Sequence, residues 1–208
     1  MKRLALYCFI YFITFSSVAE ETETFLQEKL RVKGFGSPIV KMTQVHGEFD
    51  LIIGARGAVL LNRAFAIGIG AYSLASSIHV AETKSNFEME YAGLVLEFVF
   101  PPDKRVHLSA NTLIGWGGLN NAADRNWMYY NDYDAYYGDD RYYANHNPVD
   151  DSFMVIEPEL DLELNMTTFF RLSLGVSYRY VSGVGLMPLT NADLKGLAAV
   201  FTFKVGKF

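Results

Sequence analysis

The stretch PELDLELNMTTFFRLSLGVSYRYV, residues 158–181, constrains this chain more than any other. Side chains on a strand point alternately to opposite faces. On the first half, with the residues just before it, Met154, Ile156, Pro158, Leu160, Leu162 and Leu164 share one face. Val155, Glu157, Glu159, Asp161 and Glu163 share the other. After NMTT the pattern resumes, with Phe170, Leu172, Leu174, Val176, Tyr178 and Tyr180 opposite Phe169, Arg171, Ser173, Gly175, Ser177 and Arg179. Two long antiparallel strands joined by a tight turn follow. Alternation alone does not say which face meets water: a soluble lipocalin-like barrel holds leucines in its cavity, and a membrane barrel turns them outward.

The N-terminus bears on that choice. Lys2 and Arg3 precede an apolar run from Leu4 to Phe15 and a small-residue cleavage site at Ser17-Val18-Ala19. Residues 1–19 read as a secretory signal peptide, too short and wrongly flanked for a spanning helix. Cys8, the only cysteine, lies inside that run, so the mature chain is expected to hold no disulfide. Removing the peptide leaves 16 of the 18 bases against 23 acids. An acidic exported chain is no nucleic-acid binder. No later stretch reaches the roughly 18 apolar residues a membrane helix needs, yet 50% of residues are hydrophobic and 15% aromatic, and that surface must be covered by something.

Period-two patterning predicts eight strands, over 34–45, 47–61, 64–79, 87–100, 106–118, 152–164, 169–182 and 194–208. Most exceed the roughly 9 to 11 residues that cross a bilayer core at a tilt. The links alternate in length. Asn62-Arg63, PPDKR and NMTT are short and fall at one end, whereas AETKSN, about eleven residues from Gly183 and the segment 119–151 fall at the other. Outer-membrane barrels show this asymmetry of short periplasmic turns and longer external loops. The first link, near Gln44 to Gly47, is short for an external one. Residues 20–31 read as a periplasmic N-terminal segment and 32–208 as the barrel.

Three features favour an inside-out barrel. The polar face is also the small face, with Gly54, Ala58, Gly68, Gly70, Gly93, Gly115, Gly117, Ser173, Gly175 and Ser177, and an eight-stranded barrel has room within for little else. Aromatics gather at strand ends: Trp116, Tyr178 and Tyr180 at the loop end, Phe65, Phe100 and Phe170 at the short-turn end. The charges also have partners. A hairpin centred on Thr167 sets Glu163 opposite Arg171 and Asp161 opposite Ser173, with Arg179 diagonal to Glu157. The expected lumenal charge network is Arg56, Glu97, Glu157, Glu159, Asp161, Glu163, Arg171 and Arg179: the four acids of the sixth strand exceed Arg171 and Arg179, the remainder need Arg56 or trapped water, and Glu97 adds to the demand.

The chain ends FTFKVGKF, where Phe201, Phe203 and Val205 alternate and Phe208 falls out of phase unless Gly206 opens a bulge. On GARGAVLLNRAFAIGIGAY, ELNMTTFFRLSLGVSYRYVSGV and that ending, the chain resembles small OmpA/OmpX-type eight-stranded outer-membrane barrels. It is similar to a group of uncharacterised proteins described only as outer-membrane β-barrels. The resemblance implies an all-β, antiparallel, up-and-down transmembrane barrel with a filled polar lumen, and brings no catalytic residues.

The long loop, NAADRNWMYYNDYDAYYGDDRYYANHNPVDD, holds seven aspartates against Arg125 and Arg141. Trp127 and Tyr129, Tyr130, Tyr133, Tyr136, Tyr137, Tyr142 and Tyr143 make it a candidate external binding surface, since amphipathic rings supply contact area at low entropic cost. Asp132, Asp134, Asp139 and Asp140 carry calcium-type oxygens at a spacing that fits no EF-hand loop. His107 and Ser109 share a strand face and are similar to the His-x-Ser of outer-membrane lipid A deacylases, but the asparagine that follows serine there is displaced to Asn111, and the pair is expected to face the lumen near the short turns. His46, His79 and His146 have no ligand spacing. The function expected is a non-enzymatic outer-membrane barrel with a structural or surface-binding role, the alternatives being a deacylase-like esterase and a soluble lipid-binding barrel. The expected partners are outer-membrane lipid and an extracellular ligand, with no cofactor, no metal and no nucleic acid, and the barrel is expected to be a monomer.

Overall fold

A computed structural model of the chain describes residues 31–80, 85–101, 104–121 and 151–208. The expected signal peptide, residues 20–30 and most of the long loop, with all its tyrosines, lie outside the described residues. The strands are β1 Val32–Val45, β2 Glu48–Leu61, β3 Phe65–Leu74, β4 Ile78–Val80, β5 Ser85–Phe100, β6 Val106–Asn121, β7 Asp151–Asn165, β8 Phe170–Ser182 and β9 Gly196–Gly206, with one helical turn, α1, at Asn191–Leu194. Every neighbouring pair is antiparallel, in the order β3-β2-β1-β9-β8-β7-β6-β5-β4, and β3 also pairs with β5. Because β3 and β4 lie end to end along β5, the wall has eight staves and closes on itself. Closure leaves no unpaired sheet edge, which is the condition for a sheet to cross hydrocarbon.

The faces answer the opening question. Leu160 and Leu162 are each 53% exposed on the outer wall, while Glu159 and Asp161 between them are 5% and 1% exposed. Leu174, Val176, Tyr178 and Tyr180 are likewise exposed, as are Trp116 and Phe100 near the two rims. An apolar outer belt around a charged interior is the orientation of a membrane barrel and excludes the soluble lipid carrier, whose leucines would line a cavity. The small residues face inward because bulky ones lie over them: a Cβ on Gly54 would collide with the ring of Tyr72, and one on Gly117 with Phe153.

Turn chemistry fixes the short links. His46 and Gly47 both take left-handed backbone angles, φ 50° and 79°, in a two-residue link that pairs Val45 with Glu48. That geometry matches the twist of a hairpin, so this link is tight although it lies at the loop end. At the other end Asn62 and Arg63 are also left-handed, and Ala64 N–H closes the turn on the Leu61 carbonyl at 3.2 Å.

Four expectations are corrected. The strand expected over 64–79 breaks at 75–77, where Ala75 N–H bonds the Leu51 carbonyl and the Ser76 hydroxyl bonds Asp50. Pairing along β5 shifts there by two residues, from Ser73 opposite Glu90 to Ile78 opposite Phe87, so Leu74, Ile78 and Val80 all stay inward. The hairpin expected around Thr167 is centred one residue later: Met166 and Thr167 N–H both bond the Phe170 carbonyl, which sets Glu163 opposite Ser173, Asp161 opposite Gly175 and Asn165 opposite Arg171. A slip of two preserves the faces and changes only the partners. Phe169, expected on the lumenal face, is 60% exposed in that turn. Gly206 opens no bulge: β9 keeps one register with β1 and β8 to its end, and Phe208 then leaves the strand to pack on Phe35 at 5.7 Å.

If the outer wall meets hydrocarbon, a cation there is costly. Leu174→Arg, near the middle of β8, is expected to destabilise the barrel by about 2–4 kcal/mol in reversible unfolding from phospholipid vesicles. A change near zero would mean that Leu174 faces water.

Candidate functional site

The bore is packed in layers. At the short-turn end Phe35, Ala58, Leu60 and Ala66 form a small apolar cluster against Phe208. Above it come two charged nodes, each built on a lysine. Lys204 Nζ lies 2.5 Å from Glu97 and also contacts Glu163. Glu163 further accepts from Ser109 Oγ at 2.8 Å, meets His107 Nε2 at 3.0 Å and lies 3.5 Å from Arg171. In the second node Lys41 Nζ sits 2.9 Å from Glu157 and 3.4 Å from Glu159. Arg56 bonds Glu159 at 2.9 Å and the Tyr72 hydroxyl at 3.1 Å. Tyr91 and Ser177 donate to Glu157, at 2.9 and 2.7 Å. The Tyr72 and Tyr91 rings stack at 5.0 Å, and Lys41 lies over Tyr72. Between the nodes Asn111 donates to Asp161 at 2.6 Å.

All eight residues expected in the network are buried in the lumen, together with Lys41 and Lys204, which sequence reasoning missed. With them, Glu97, Glu157, Glu159, Asp161 and Glu163 face Lys41, Arg56, Arg171, Arg179 and Lys204, five acids to five bases among the described residues. The acids no longer outnumber the bases: Lys41, Arg56, Arg171 and Lys204 form ion pairs with Glu97, Glu157, Glu159 and Glu163, which makes their burial tolerable, whereas Asp161 accepts from Asn111 and Arg179 donates to the Leu194 carbonyl. Lys204 was within reach of the alternation rule: Phe201, Phe203 and Val205 outward put Thr202 and Lys204 inward. Lys41 was less so, because its face mixes Ser37 and Thr43 with Phe35, Ile39 and Val45, and the face behind it also carries Gln44 beside Val40 and Met42.

Above the charges the bore turns apolar. Ile52, Met89, Phe87, Leu119, Phe153 and Val181 are among the buried residues of this cluster, and two more, Leu189 and Leu194, come from the link between β8 and β9. That link is a lid. Arg179, expected diagonal to Glu157, is fully buried and donates from Nε to the Leu194 carbonyl at 2.7 Å. Asp151 accepts from the N–H groups of Gly185 and Leu186. His46 reaches across from the first hairpin, its ring 3.0 Å from Asp193 and its N–H on the Asp193 carbonyl. Burial opposes the Asp193 charge, but hydrogen bonds from the Thr190 hydroxyl and N–H and from His46 outweigh it, holding the carboxyl below its ordinary value of 3.8.

Of the catalytic-looking pair, His107 and Ser109 both point at Glu163 instead of at each other, and both are buried. The serine hydroxyl donates a hydrogen bond to the Glu163 carboxylate and is fully buried. Asn111 serves Asp161. No group of three or more His, Cys, Asp or Glu side chains among the described residues is arranged to hold a metal ion. The Trp127 and tyrosine set of the long loop lies outside the described residues.

Among solved structures the chain is similar to Neisserial surface protein A (NspA), with a TM-score of 0.57 at 10% identity over 87% of this chain and 100% of that one. The fold is that of the small outer-membrane β-barrels. The N-terminal β-barrel domain of Pseudomonas aeruginosa OprF covers 84% of this chain and 96% of its own, at a TM-score of 0.49 and 8% identity. Ail, the attachment invasion locus protein of Yersinia pestis, covers 85% and 98% at 0.49 and 9%. No family model matches the chain, and no curated protein does. Likeness to NspA at 10% identity shows the fold.

Two predictions follow from the packing of this transmembrane barrel. Lys204→Met strands Glu97 and Glu163 without their shared cation and is expected to cost about 3–5 kcal/mol in urea unfolding; adding Glu97→Gln restores part of the loss. The lid responds to acid. Because the folded Asp193 value is depressed, its contribution is full above the ordinary carboxylate range and is lost as pH falls through the lowered value. Amide protection in residues 184–195, taken relative to the unfolded-chain rate at each pH, is therefore expected to fall only below about pH 4, and Asp193→Asn removes that pH dependence.

Proposed function

We propose that this chain is a non-enzymatic protein of the bacterial outer membrane, exported by its N-terminal signal sequence, whose barrel is a closed anchor and whose external loops carry the interaction with the outside. The observation that carries this reading is the filled bore. Paired charges occupy its middle and apolar side chains its loop end, with Leu189 and Leu194 as the stopper. A passage for solutes is hard to reconcile with that packing, and so is an esterase whose serine is bonded to a buried glutamate. The wall and the loops are left as the working surfaces.

Of the loops, the segment 119–151 has the composition for binding: rigid aromatic rings in an acidic frame, five negative charges in excess. The complementary partner is a basic surface. Such loops, long and without regular pattern, are commonly functional.

Deleting 122–150 is expected to leave heat-modifiable gel migration intact and to abolish adhesion of intact cells to a surface coated with a basic protein. Adhesion that survives the deletion would reduce the loop to a cap. In the same cells Ser109→Ala is expected to leave lipid A acylation unchanged; a change would reinstate the esterase.

A further inference from the structure

The two rims of the barrel differ in the sign of their charge. Among the described residues the loop rim carries Glu48, Asp50, Glu88, Glu90, Asp151 and Asp193 against Lys195, whereas the short-turn rim carries Arg31, Lys33, Arg63, Lys104, Arg105 and Lys207 and no exposed acid. Asp103, outside the described residues, offsets only one of those bases. Lys33 is engaged on the Phe208 carbonyl, and Arg63 has a contact of its own. Arg31, Lys104, Arg105 and Lys207 are exposed, and their backbones are pinned to neighbouring staves. Arg31 N–H bonds the Asn62 side chain at 3.0 Å and Lys207 N–H the Gly34 carbonyl at 3.0 Å. The Lys104 and Arg105 carbonyls accept from the side chain and N–H of Asn165, at 2.7 and 2.8 Å. These bases also stand at the edge of the apolar belt. Arg31 directly precedes Val32, Arg105 precedes Val106, and Lys207 lies just past Val205 and Gly206, all three valines being exposed on the outer wall. Beyond that edge lies the headgroup layer.

We propose that this rim binds anionic phospholipid of the short-turn leaflet, the phosphodiester of phosphatidylglycerol docking on Arg31 and Lys207 on one side of the barrel and on Lys104 and Arg105 on the other. The first pair lies at the seam of β1 and β9 and the second in the turn between β5 and β6, four staves apart in either direction. A protein partner meets one side of such a rim, whereas the lipid annulus meets every side. Bases divided between opposite sides therefore fit lipid. The headgroup follows from charge. A phosphate diester carries one negative charge, which the ammonium of an ethanolamine lipid offsets within the headgroup and the glycerol of phosphatidylglycerol leaves uncompensated. Basic side chains at the membrane surface attract that charge, arginine through paired N–H donors that match the phosphate oxygens. The acidic loop rim repels the same headgroup, so the pattern distinguishes the two leaflets. The site rests on the membrane reading given above, with the short turns on the periplasmic side.

The test is native mass spectrometry of the full barrel released from vesicles of equal parts phosphatidylglycerol and phosphatidylethanolamine. Retained lipid is expected to be roughly tenfold richer in phosphatidylglycerol. Arg31→Gln with Lys207→Gln, and separately Lys104→Gln with Arg105→Gln, are each expected to lower that ratio roughly threefold, and all four substitutions together to bring it to parity. Lys195→Gln on the loop rim is expected to leave it unchanged. Parity in the wild type, or a ratio that the four substitutions do not move, overturns the proposal. A fall confined to one pair would make the rim a one-sided surface for a soluble partner and overturn the assignment to lipid. So would a fall to parity in the presence of excess glycerol phosphate, which would name a free phosphate as the ligand. Heat-modifiable migration of each variant separates loss of fold from loss of lipid. Partition of the wild type into detergent checks the membrane reading independently: a barrel that partitions and yet shows parity loses the site and keeps that reading.

Discussion

Mutual neutralisation of charge along the bore is the interaction on which the rest of this structure depends. A closed sheet in hydrocarbon satisfies its backbone by pairing strand to strand, but its inward side chains have neither lipid nor bulk water to face. An eight-stranded barrel is narrow enough that opposite walls touch. Lys204 of β9 can then bridge Glu97 of β5 and Glu163 of β7, and Lys41 of β1 can bridge two glutamates of β7. These ties run across the barrel, whereas the hydrogen-bond ladder runs around it. Desolvated ions lose several kcal/mol each when isolated, so each lysine specifies which staves stand opposite one another. The network is thus a statement about register as much as about stability.

The two apolar clusters complete that division of labour. Glycine and serine on the inner face make room for Tyr72 and Phe153 to reach the axis, and the rings separate the upper charge node from the lid. The lid needs its own anchor because it is a link, not a stave. Arg179 supplies it from below through the Leu194 carbonyl, and His46 from the side through Asp193. The unusually short first link, which fits an external loop poorly, acquires a purpose: a tight turn at His46-Gly47 holds the imidazole low enough to clamp α1.

Strand number, faces and the alternation of long and short links were legible in the sequence, because each is a period-two property that survives small errors. Leu160 and Asp161 differ in burial by half their surface, and nothing local needs to be known to place them. Register was not legible to that degree. One residue of difference in the centre of a turn moved every cross-strand partner on β7 and β8, and that centre was set by where the Phe170 carbonyl points. Lys41 escaped for a different reason: on β1 its inward face mixes Ser37, Lys41 and Thr43 with Phe35, Ile39 and Val45, and a face so mixed gives alternation a weak phase. The lid escaped because Leu189 and Leu194 belong to no strand, and only the closure of the barrel beneath them shows what two leucines in a link are for.

A bore this full shifts the question of function outward. With the middle neutralised and the top stoppered, substitution inside the barrel alters folding first: Ser109 is bonded to Glu163, and His107 lies between Glu163 and the Lys104 carbonyl. What remains free to vary is the outside. The wall presents large apolar side chains over most of the described surface, broken where Gly34 and Gly36 of β1 lie beside Gly57 of β2 and where Ala55, Ala71 and Ala92 share a rung. The inner faces of the same strands carry Tyr72 and Tyr91, stacked and fully committed.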